Sequence, residues 1–74
     1  MCVVNIGHGV KEIREAIIKQ TAKVTFTYGG IVDNKPRQDL AKKLNEWAPS
    51  GMGQIKSLFC SSGAEANEGA LKLA

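Results

Sequence analysis

The chain has 74 residues, of which 43% are apolar and only 5% aromatic, and it carries a formal charge of +3. That apolar share argues against intrinsic disorder, but the length allows one small domain, and with much of the share in Ala and Val its core is too thin to stand alone. The Lys and Arg residues are scattered among acids with no basic-aromatic cluster, and no apolar run is long enough for a membrane span or a signal peptide, so neither nucleic acid nor membrane is expected as a partner.

Val3-Val4-Asn5-Ile6 is a short apolar stretch closed by a Gly7-His8-Gly9 turn. From Val10 the spacing becomes helical, with Val10, Ile13 and Ile17 on one face and Ala16 beside them, and the helix runs to about Thr21. Glu12 lies in its first turn, where the dipole favours an acid, and Glu15 is expected to pair with Lys19. The alternation Val24-Thr25-Phe26-Thr27-Tyr28 predicts an extended, half-buried segment that Gly29-Gly30 breaks. Pro36 suits the first turn of a second helix capped by Asn34 or Lys35, with Asp39 early in it and Leu40, Leu44 and Trp47 on one face. Trp47 is expected in the core.

Pro49-Ser50-Gly51 ends that helix, and Gly51-Met52-Gly53 is a loop. It is no nucleotide fingerprint, because no strand precedes it and no helix follows. Gln54 to Cys60 reads as a strand, and a third helix starts at about Ser62. Helix, extended segment, helix, strand, helix is a piece of an α/β protein. Cys2 and Cys60 form neither a metal nor a redox spacing, and two are too few for a disulfide scaffold. Reduced thiols in the cytoplasm follow, with Cys60 as a small buried side chain.

The turn into the third helix carries the chemistry. Ser62 and Glu65 fit a capping box, with serine at the cap and glutamate at the third helical position. The N–H groups of Gly63 and Ala64 then have no intrahelical acceptor and can face an oxyanion, aided by the helix dipole. Gly63 leaves room for a phosphate, and the Ser61 or Ser62 hydroxyl adds a donor. A Glu65 carboxylate beside that anion is unfavourable, so a phosphate site requires it to turn away or pair with a cation. The bland alternative is that Ser62 caps a helix and nothing binds. The turn lacks a Walker lysine, which disfavours ATP or GTP. His8, in a glycine turn with no acid or nucleophile near it in sequence, reads as structural.

Asn5-Ile6-Gly7-His8, Glu12-Ile13, Ala16-Ile17, Gln20, Pro36, Leu40-Ala41, Leu44, Ala48-Pro49, Ser62-Gly63-Ala64-Glu65-Ala66-Asn67-Glu68 and Ala70-Leu71-Lys72-Leu73-Ala74 occur in this order. The chain thereby resembles the class III (omega-amino-acid, acetylornithine and GABA-type) aminotransferases, enzymes of fold type I that use pyridoxal phosphate. The resemblance implies that Gly63 and Ala64 hold the cofactor phosphate through their N–H groups, with Ser62 contributing its side chain. It also implies a homodimer, with the Gly7-His8 turn and the segment from Tyr28 to Asn34 near its interface. The small-molecule substrates would be an amino donor and a 2-oxo acid acceptor. In the family the Schiff-base lysine, the acid on the pyridine nitrogen and the stacking aromatic follow the phosphate turn, so no catalytic residue is assigned here. Residues 1–74 are expected to be part of the large, cofactor-binding domain, cut short at both ends and inactive as an isolated chain. The alternative is a non-catalytic anion-binding or vestigial fragment.

Overall fold

The computed structural model describes residues 3–74, and Cys2 lies outside them. The described residues form three helices, α1 (Lys11–Thr21), α2 (Lys35–Trp47) and α3 (Gly63–Leu73), and no strand. The chain divides into two units, Met1–Asp33 and Asn34–Ala74.

In the first unit, Gly7 and Gly9 adopt φ of +94° and +67°, left-handed values that favour glycine and make the expected turn. The Gly7 N–H closes it on the Val4 carbonyl at 3.1 Å. Helix α1 follows with Val10 as its cap residue and Glu12 in its first turn, as its spacing predicts. Glu15 faces Lys11 at 3.7 Å, one turn before the expected Lys19. At the other end the Thr21 hydroxyl donates to the Ile17 carbonyl at 2.6 Å, a bond typical of a threonine closing a helix. The 24–28 segment is irregular, and Phe26 in it is 80% exposed. Its alternation predicts an extended, half-buried segment. The chain then turns at Gly29-Gly30, where the Ile31 and Val32 N–H groups both donate to the Tyr28 carbonyl.

In the second unit, Asn34 caps α2 by accepting from the Arg37 N–H at 3.0 Å, with Pro36 just inside the helix where its missing N–H costs nothing. The half-buried stripe of α2 is Arg37, Ala41, Leu44 and Asn45, with Ala48 just past its end. Leu44 was expected there, whereas Leu40 is exposed and Trp47, expected on the same face and in the core, is 69% exposed. The Trp47 ring instead lies under the Lys43 ammonium, 5.4 Å from its centroid.

The α/β expectation is therefore wrong for the described residues, which are all-helical in their regular structure. The reason lies in the 54–60 segment. Ile55, Ser57 and Phe59 are half-buried and Lys56, Leu58 and Cys60 exposed, so burial does alternate with period two. A strand also needs a neighbour to pair its N–H and C=O groups, and the unit offers helices only. Cys60 falls on the outward side of this alternation and is exposed rather than buried. No described residue is fully buried, and α2 and α3 do not pack on each other.

Candidate functional site

Ser62 is the cap residue of α3, in an extended conformation (φ −153°, ψ 163°), and Gly63 and Ala64 are its first two helical residues. The Ser62 carbonyl accepts from the Ala66 N–H at 3.0 Å, and its Oγ accepts from the Glu65 N–H at 3.2 Å. A hydroxyl that accepts still has its own proton to give, so Ser62 can also donate outward. The Gly63 and Ala64 N–H groups point along the helix axis with no intrahelical acceptor. A Cβ placed on Gly63 would meet nothing within 4 Å, so no side chain crowds the turn on that side. Three adjacent donor groups at the positive end of a helix suit an oxyanion such as a phosphate.

Glu65 completes the box one residue early. Its Oε2 accepts from the Ser61 N–H at 2.8 Å, not from the N–H of the cap residue. The carboxylate neither turns away from the turn nor pairs with a cation, as the sequence reading required for a phosphate site. It is held by backbone, occupies the Ser61 donor, and leaves those of Gly63 and Ala64 alone. Glu68, one turn further on, pairs with Lys72 at 2.7 Å on the exposed side.

The segment leading into the turn is held at several points. The Ile55 N–H donates to Asn45 Oδ1 on α2 at 2.8 Å. The Arg37 guanidinium sits over the Phe59 ring, 5.7 Å from its centroid. Leu58 lies on α3 so closely that a Cβ on Gly69 would come within 3.3 Å of its Cδ2. Asn45 was not singled out from the sequence. Its only signal there is an asparagine near a helix end, where the side chain is a poor helix former and a good backbone partner.

His8 is exposed, in the first unit, on an apolar cleft of about 550 Å³ with Val4, Ile6, Val10, Ile13 and Ile17. The α1 face predicted from spacing thus does line one side of a groove, although Ile17 remains 58% exposed. No helix among the described residues is long and apolar enough to cross a membrane.

Comparison with known proteins settles the family. The chain belongs to the class III aminotransferases, whose family model matches residues 1–74. It is 42% identical over 71 residues to a Bacillus subtilis protein named "Uncharacterized aminotransferase YhxA", a match covering 96% of this chain and 15% of that one. It is 44% identical over 70 residues to the acetylornithine aminotransferase of Methanocaldococcus jannaschii, covering 95% of this chain and 16% of the relative. The chain therefore spans about one sixth of the length of these relatives. No solved structure matches it.

Proposed function

We propose that this chain is part of the cofactor-binding domain of an aminotransferase that uses pyridoxal phosphate, and that the α3 N-terminus holds the cofactor's phosphate. The observation that carries the reading is the pair of Gly63 and Ala64 N–H groups at the open end of a capped helix, inside the family match. In it, Gly63 and Ala64 donate their N–H groups to phosphate oxygens, and Ser62 donates its hydroxyl while its Oγ keeps the Glu65 N–H. Glu65 holds the Ser61 N–H and stays beside the anion, so the expected condition that it turn away or pair with a cation is not met and phosphate binds here against its charge. When bound, the cofactor supplies the reactive carbonyl and electron-accepting ring on which amino-group chemistry runs.

The parent enzyme would move an amino group from an amine or amino acid to a 2-oxo acid, working as a cytoplasmic homodimer. No residue of this chain is given a proton-transfer role, and the isolated chain is expected to show no transaminase turnover. Its function is anchorage.

The test is an amide NMR titration of the isotope-labelled chain with pyridoxamine phosphate, whose amine does not condense with surface lysines. Inorganic phosphate and phosphate-free pyridoxamine serve as the comparison ligands. The Gly63 and Ala64 resonances are expected to move with both phosphates and to stay still with pyridoxamine. Shifts confined to other residues would overturn the anchor. Equal weak responses to the two phosphates would favour a generic anion site over a cofactor site.

A further inference from the structure

We draw no further inference here: the strongest candidate, the apolar cleft between the 3–9 segment and α1, lies open to solvent and nothing in the structure shows what covers it.

Discussion

At the α3 N-terminus a carboxylate and an incoming phosphate would draw on the same partial positive charge. Glu65 is bonded to Ser61, the residue next to the cap, so a phosphate on Gly63 and Ala64 binds beside a negative group. Glu65→Gln keeps an oxygen for the Ser61 N–H and removes the charge. Like charges a few ångströms apart in water repel by about 1 kcal/mol, so phosphate should bind up to roughly fivefold tighter to that variant. Unchanged or weaker binding in the NMR titration would mean that the negative charge itself orders the turn. Gly63→Val asks the complementary question. Because a Cβ there meets nothing in the chain, the helix should tolerate it within about 1 kcal/mol. A branched side chain would, however, crowd the anion and cost a charge-assisted bond of about 1.5–3 kcal/mol, weakening phosphate binding by about tenfold or more. Retained binding with intact helicity would remove Gly63 from the site. The cap at Ser62 and the bare donors at Gly63 and Ala64 were legible in the sequence, because they depend only on residue type and position in one helix turn. The reach of Glu65 to Ser61 was not. The spacing allows either backbone partner, and the choice depends on the path of the chain before the cap.

The elements tell a similar story of local rules obeyed and non-local ones hidden. All three helices were readable, with the Ser62 cap of α3 and the ends of α1 and α2, while the α2 cap was left between Asn34 and Lys35, since spacing, Asn34-Lys35-Pro36, Pro49 and Ser62 act over a few residues. The strand over 54–60 was misread because an apolar stretch between turns reports only burial, which α2 and α3 supply to residues 55–59 without any ladder. Leu58 against Gly69 makes that contact testable. Alanine in place of a helical glycine gains up to about 1 kcal/mol in propensity. The new methyl would stand 3.3 Å from Leu58 Cδ2, tight enough to demand a small movement. Leu58 is 66% exposed and sits at the tip of a flexible side chain, so it can give way. Gly69→Ala is therefore expected to raise the stability of α3 by about 0.5 kcal/mol, seen as greater helicity by circular dichroism. A loss of helicity would show that the 55–60 segment is locked on α3 by more than this contact.

For the whole chain the deciding quantity is surface. Val3, Ile6, Ile31 and Leu73 are among the large apolar side chains left in water, and no described residue is buried. Hydrophobic burial is the main favourable term in folding, while each ordered backbone residue costs about 1–2 kcal/mol of conformational entropy. The caps and exposed ion pairs contribute about 1 kcal/mol each at most, so they shape single helices without binding them into one cooperative unit. The chain on its own should therefore melt gradually, with helical signal falling over a wide temperature range and no sharp heat-capacity peak. A cooperative domain of this length would absorb about 50 kcal/mol at its midpoint, well within calorimetric reach. Such a peak, independent of concentration, would mean that the chain buries a core absent from this arrangement. A peak whose midpoint rises with concentration has a different cause, namely that copies cover one another's apolar faces. Either peak would overturn the expectation for the lone chain, and the concentration series tells which surface has been covered.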